Sequence, residues 1–240
     1  MHLVIDMGNS LVKTALFENG EICFKNTDSD FTAEMLANIL DRSDIDAAIV
    51  SSVRKTPDLQ ALFEAVPFPV LFPDAATPLP IKNHYATPHT LGMDRLAAVV
   101  GARAMFPGKD LLVINAGTCL TMDFISGDGV YHGGSIAPGL EMRLRALNQF
   151  TGKLPLESPA KENIPLTGNT TSESILSGVI NGMIAETDGF IAQYQKQYPQ
   201  LSVVLSGGDI FFFDKKLKNR IFAIENIVLY GLNQILEYNV

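Results

Sequence analysis

The sequence predicts an α/β chain built as two duplicated units, each on a mixed sheet, and three observations carry that prediction. The first is an opening strand–turn–strand, Leu3-Val4-Ile5-Asp6-Met7-Gly8-Asn9-Ser10-Leu11-Val12-Lys13-Thr14-Ala15-Leu16. In it an apolar strand runs into a carboxylate, a Gly permits a tight reversal, and a second strand follows. The second observation is an echo over residues 112–124, where Asn115 stands for Asp6, Gly117 for Gly8 and Thr118 for Asn9. The third is an alternation of strand and helix patterns through the first half. Two like units so far apart imply duplication with a ligand between the halves, and the boundary is expected at 1–110 and 111–240.

The elements follow in order. Asn19-Gly20 is a hairpin signal, so residues 21–25 continue the meander as a third strand. Residues 31–40 carry apolar side chains at helical spacing, and 45–51 form an apolar run suited to a buried parallel strand. A short helix is expected over 57–65, with Pro57 in its first turn, and a strand over 70–72. Residues 73–90 hold four prolines without periodicity and read as a loop. Gly92-Met93-Asp94-Arg95 then opens a helix to Met105. After the echo, 130–136 is a strand, 140–150 a helix, and 151–168 a Pro-rich polar loop. The pattern of 170–198 predicts one long helix, 201–205 a strand, and 225–238 a closing helix. Phe211-Phe212-Phe213 reads as core of the second unit.

Composition narrows the function classes. A chain of 240 residues with 47% hydrophobic and 18% charged content can bury one large core or two modest ones. A net charge of −8 leaves no basic face for a nucleic-acid backbone. An anionic substrate is then held by local devices: helix N-termini, Mg²⁺ and a few placed cations. Cys23 and Cys119 are too few for a zinc site or a disulfide framework and read as small buried hydrophobes. No apolar run approaches the roughly 18 residues of a membrane span, and the N-terminus enters a strand within two residues, so the expected location is the cytoplasm.

Several stretches carry chemistry, each beside a plainer reading. The first turn offers backbone N–H groups and hydroxyls to phosphate oxygens, with Asp6 able to hold Mg²⁺, usually through water; it is equally an ordinary hairpin. Asp94, in the first turn of its helix, is either a cap or a general base for a substrate hydroxyl attacking a γ-phosphorus. Arg95 beside it suits a substrate carboxylate, or is a solvated helix residue. Ser51-Ser52-Val53 either faces a site or ends a strand. Gly133-Gly134 and Pro138-Gly139 either approach a ligand or make a tight connection. Ser174, Gly178 and Gly182 lie on one helix face, where intrachain packing is the plainer reading and a dimer seam the other. A G-x-x-x-x-G-K-[ST] loop is absent from the sequence, which argues against a P-loop kinase.

The two turns, with Ser206-Gly207-Gly208-Asp209, resemble the nucleotide clamp of the acetate kinase, sugar kinase, heat-shock chaperone and actin superfamily. That resemblance implies two ribonuclease H-like lobes with an ATP cleft between them. Within it, Asp6-Met7-Gly8-Asn9-Ser10, Gly92-Met93-Asp94-Arg95, Asn115-Ala116-Gly117-Thr118, Gly133-Gly134-Ser135-Ile136-Ala137-Pro138-Gly139 and Gly168-Asn169-Thr170 are similar in order and spacing to the type III pantothenate kinases. The resemblance implies ATP-dependent phosphorylation of pantothenate to phosphopantothenate, the first step of coenzyme A biosynthesis. It implies ATP contacts from Asp6, Met7, Gly8, Asn9, Ser10, Leu11, Val12, Lys13, Gly117, Thr118, Gly207 and Gly208. Pantothenate contacts would come from Tyr85, Gly92, Met93, Asp94 as base, Arg95, and Thr170 of the other chain in a homodimer. Asp6 would serve the Mg²⁺ that comes with ATP. Most members of that family carry Asp where this chain has Asn115, at the site of a K⁺ or NH₄⁺ ion, so dependence on that ion is expected to be shallow, or to pass to Asp123, otherwise read as a solvent-facing strand end. The rival readings are a non-enzymatic ATP-driven switch and a regulatory protein of the same fold.

Overall fold

The N-terminal meander forms as its pattern dictates. Strands β1 (His2–Met7), β2 (Val12–Glu18) and β3 (Glu21–Asp28) pair antiparallel in sequence order. Asn19 and Gly20 both adopt positive φ, 52° and 81°, as a two-residue hairpin of this twist requires. The computed structural model describes residues 1–41, 43–54, 59–159, 164–213 and 216–240.

Helix α1 (Ala33–Leu40) is capped by Thr32, whose hydroxyl accepts from the Met35 amide, and leads to β4 (Ala47–Ser52). β4 lies parallel to β1, and β5 (Val70–Leu71) parallel to β4, giving the order β3-β2-β1-β4-β5. The helix expected over 57–65 begins on residues outside those described; Ala61–Phe63 form a single 3₁₀ turn. One face of the sheet, through Leu3, Ile5, Met7, Val12, Leu16, Ala48 and Val50, packs with Phe31, Leu36 and Phe63. Within the expected loop, β6 (Lys82–Asn83) is a short strand that the proline count concealed.

Helix α2 (Met93–Met105) runs against α7 (Ile227–Asn239), which also contacts β1, β2 and β4. The helices cross where Gly101 meets Gly231: a Cβ on Gly231 would fall on the Ala97 carbonyl, and one on Gly101 would meet the Ile227 carbonyl oxygen at 2.5 Å. Met1–Gly108, Asp128–His132 and Asn226–Val240 thus form one compact unit, and Lys109–Gly127 with Gly133–Glu225 the other. The C-terminal helix groups with the first unit.

The second sheet repeats the plan. β7 (Leu111–Ala116), β8 (Cys119–Ile125) and β9 (Val130–Pro138) make the meander, β10 (Ser202–Ser206) lies parallel to β7, and β11 (Phe222–Ala223) parallel to β10. The order β9-β8-β7-β10-β11 reproduces β3-β2-β1-β4-β5, and β6 adds to β9 at Val130 and Tyr131. Helices α3 (Leu140–Gln149), α4 (Thr171–Leu176), α5 (Gly182–Gln197) and α6 (Ile210–Phe213) pack on one face of this sheet, with Leu140, Leu144, Ile175, Val179, Met183 and Ile191 in the shared core.

The expected single helix over 170–198 is interrupted: Ser177–Asn181 form a π turn between α4 and α5. Ser177 Oγ donates to the Leu166 carbonyl at 2.6 Å, and Asn181 Nδ2 to the Pro165 carbonyl at 3.2 Å, so the turn ties down the preceding loop. Of the Phe triplet, Phe213 is buried but Phe211 is 63% exposed. Cys23 is exposed and Cys119 half-buried, not the buried pair expected. Among the described residues no helix is long and apolar enough to cross a membrane.

Candidate active site

Strand register assembles the first half of the site. Asp6 pairs with Lys13 on antiparallel β2 and with Ser51 on parallel β4, so three polar side chains form a row on one face. The next rows, Ala15-Val4-Ile49 and Phe17-His2-Ala47, are mostly apolar. Asp6 is 9% exposed, and burial pushes its carboxyl up from 3.8 to about 6; Lys13 opposes that rise and Asp94 adds to it. The carboxylates of Asp6 and Asp94 are therefore within electrostatic reach of each other.

The turn beyond Asp6 is braced from behind. Arg54 Nε donates to the Gly8 carbonyl at 2.6 Å, and its Nη1 to the Ser29 carbonyl at 3.0 Å. Asn9, Ser10 and Leu11 stay exposed, whereas Met7 and Val12 are buried in the apolar face, so only their backbone can meet a ligand. Sequence reasoning missed Arg54, since an isolated Arg after a strand has no motif. An apolar cavity of about 390 Å³, lined by Leu16, Cys23, Phe24, Met35 and Ile39 among others, contains none of these residues.

At the start of α2, Gly92 takes the N-cap position without a side-chain bond, and a Cβ there would strike the Asp94 carboxylate. Arg95 is 5% exposed, which removes the solvated reading. Its guanidinium carbon sits 5.6 Å from the Tyr85 ring centre, and Tyr85 stacks on fully buried Tyr131 at 6.2 Å. Asn83 fixes the start of this ladder by accepting from the Tyr85 amide at 2.9 Å. Met93 is half-buried beside them. Tyr131 and Asn83 became visible only through the pairing of β6 with β9, a pairing too short to leave a pattern.

In the second unit Asn115 pairs with Ser206 and with Thr121, repeating the polar row of the first. The turn after it is held by backbone. The Gly139 amide donates to the Thr118 carbonyl at 3.0 Å, and a Cβ on Gly139 would fall on the Gly117 carbonyl. Gly207, at φ +106°, lies against the Ala116 carbonyl, which also accepts from the Asp209 amide at 3.0 Å. Gly134 likewise lies against the Met122 backbone. Gly134 and Gly139 therefore serve close backbone contacts. Thr118 is exposed and Gly208 faces open space, so both remain accessible. Asp123 is not solvent-facing: it sits inside β8 at 1% exposure, and with burial it helps push the Tyr194 hydroxyl up.

Thr170 caps α4, its hydroxyl accepting from the Glu173 amide at 3.2 Å while Glu173 accepts from the Asn169 amide at 3.0 Å. Ser174, Gly178 and Gly182 are exposed, and a Cβ on Gly178 or Gly182 would meet nothing within 4 Å. The plainer reading of that stripe, packing within the chain, is not what the structure shows.

The family profile of type III pantothenate kinases matches residues 2–193. The chain belongs to the type III pantothenate kinase family. A type III pantothenate kinase of Phocaeicola vulgatus is 48% identical over the whole of this chain and 99% of the relative. Family membership assigns ATP-dependent phosphorylation of pantothenate, an entry step of coenzyme A biosynthesis, with ATP used alongside a divalent metal. Among solved structures, a Campylobacter jejuni protein assigned to the Baf family of transcriptional activators aligns at TM-score 0.60 and 18% identity, covering 99% of this chain and 98% of that one. A ROK-family glucokinase from Streptomyces griseus, solved with glucose and AMPPNP, aligns at 0.51 and 13%, covering 96% and 97%. These two likenesses are of fold, the two-sheet α/β plan of the actin-like ATPases and sugar kinases.

The residues present fit a Mg²⁺ held mainly by phosphates. No group of three His, Cys, Asp or Glu side chains gathers among the described residues, and Mg²⁺ of this type uses one or two carboxylates plus phosphate oxygens. Asp6, buried and incompletely compensated by Lys13, has the chemistry such a carboxylate needs. Its pKa carries a stability consequence. Because the folded value of about 6 lies above the ordinary 3.8, Asp6 favours folding below about pH 4 and loses that contribution as pH rises through 6. Ionised Asp6 then costs the ligand-free protein about 2–3 kcal/mol near pH 7.5. Asp6→Asn is expected to melt several degrees above wild type at pH 7.5 without nucleotide, with the gap closing near pH 4. Equal melting temperatures at pH 7.5 would show that Asp6 is not desolvated.

Proposed function

We propose that Asp94 is the general base, that the turns 6–13 and 115–118 hold the phosphates of Mg·ATP, and that Tyr85 and Arg95 hold pantothenate. The observation that supports this most is the buried, ring-stacked Arg95 one residue from a carboxylate whose charge reaches Asp6. A buried guanidinium on an aromatic face is a ready fork for pantothenate's carboxylate. The primary alcohol at the other end of the substrate would then give its proton to Asp94 while its oxygen attacks the γ-phosphorus in line. Bound Mg²⁺ neutralises charge on the phosphates. In this reading Gly207 and Gly208 serve the adenosine side, and the open space at Gly208 leaves room for it. We place the enzyme in the cytoplasm; recovery in a membrane fraction would count against that.

Asp94→Asn is expected to lower kcat by 10²–10⁴-fold while Mg·ADP still binds, because the base lies outside the phosphate turns. Near-normal turnover would reduce Asp94 to the helix-start residue its position also permits.

We also propose a homodimer in which Thr170 of one chain completes the partner's pantothenate site. The support is the exposed stripe Ser174, Gly178 and Gly182, open to a second backbone, directly following Thr170. In co-purified heterodimers, an Asp94→Ala chain with a Thr170→Gly chain should regain part of the activity that each homodimer lacks. No recovery would mean that Thr170 caps α4 and does nothing more.

Asn115 keeps a carbonyl oxygen but lacks the charge that would hold K⁺ or NH₄⁺ tightly. Activity is therefore expected to rise shallowly with KCl at constant ionic strength, and Asn115→Asp to steepen the response. A steep response in the natural chain, unchanged by Asn115→Asp, would move the cation elsewhere, with buried Asp123 as the alternative.

A further inference from the structure

Ser51 stands out among the buried side chains. It is 2% exposed, and among the described residues its buried Oγ has no hydrogen-bond partner. Its neighbour Ser52 is fully engaged, donating to the Arg54 carbonyl and accepting from the Arg54 amide, both at 3.1 Å. An orphaned buried hydroxyl costs free energy, and an Ala would occupy the same place without that cost.

Register narrows what the hydroxyl is for. Ser51 shares its face and row with Asp6 on β1, and Lys13 flanks Asp6 on the other side. The residue below it on the same face is Ile49, and the row beneath Asp6 is Val4 with Ala15. β5 pairs with Ala48 and Ile49 and offers no partner in register with Ser51. Asp6 is therefore the polar group set beside it in the sheet. The duplication supplies an independent observation: the second unit places Ser206, also buried, next to Asn115 in the equivalent strand.

We propose that Ser51 is a positioning residue for Asp6: its hydroxyl turns onto the Asp6 carboxylate when Mg·nucleotide is bound and fixes the rotamer that serves the metal. One Asp6 oxygen is then committed to Ser51 and the other is left for the metal's water shell, the usual outer-layer arrangement of a ligating carboxylate. This inference rests on the assignment of Asp6 to the metal side of the nucleotide.

The test compares nucleotide affinity with and without metal, so that it does not depend on turnover. ADP binding is measured by calorimetry with saturating Mg²⁺ and with EDTA, for wild type, Ser51→Ala, Ser51→Cys and Asp6→Asn. Ser51→Ala and Ser51→Cys are expected to weaken Mg·ADP about tenfold and leave metal-free ADP unchanged, with melting temperatures at or above wild type. In an Asp6→Asn background, Ser51→Ala should have no further effect. An Mg²⁺-dependent gain that survives Asp6→Asn overturns the assignment of Asp6, and the role of Ser51 with it. A gain lost in Asp6→Asn but intact in both Ser51 variants overturns Ser51 alone, leaving it a packing residue.

Discussion

The structure depends on carrying a carboxylate to the end of a buried strand and leaving it short of compensation. Apolar side chains of β1 anchor the strand in the sheet, and the same register that buries them sets Asp6 between Lys13 and Ser51. Desolvation there raises the carboxyl to about 6, so the ligand-free fold holds an anion it does not favour. In the proposed reading, a cation arriving with phosphates relieves that condition. The site is thus disposed toward a charged ligand before any ligand-specific contact is considered, which is how strained or destabilised groups commonly mark function.

Around that carboxylate the turns are held by main chain and by one long cation rather than by their own side chains. Arg54 grips the first turn at Gly8, while Gly139 and Gly207 lie directly on the carbonyls of the second. Asn9, Ser10 and Thr118, on these turns, are exposed. In the proposed reading, donors held in this way need no rearrangement when phosphate arrives, which is what phosphoryl transfer asks of a protein.

Much of this was legible in the residues. The repeat of Asp6-Met7-Gly8 by Asn115-Ala116-Gly117 announced a duplication that the strand orders reproduce, and the hairpin at Asn19-Gly20 formed as its chemistry required. What was not legible depended on contacts distant in sequence. The burial of Arg95 follows from Tyr85 and Tyr131, brought together by a two-residue strand, and no local pattern encodes so short a pairing. Asp123 read as exposed because an acid in a strand usually is, yet the fold buries it. The interruption at Ser177–Asn181 keeps helical periodicity on both sides and so leaves no trace in spacing. Gly101 and Gly231 mark a close helix crossing, but their separation in sequence hides the pair.

That crossing has a consequence for how the protein comes into being. α7, the last helix in the chain, completes the unit begun by the first residues and packs on α2 through a contact only two glycines permit. On the ribosome the N-terminal sheet therefore emerges long before the helix that covers one of its faces. The nascent chain must carry an uncovered apolar surface while the intervening unit, formed from Lys109 onward, is synthesised. The first unit is therefore complete only once residues 226–240 have been made, so sensitivity to loss of α7 is a property of its topology rather than of its stability.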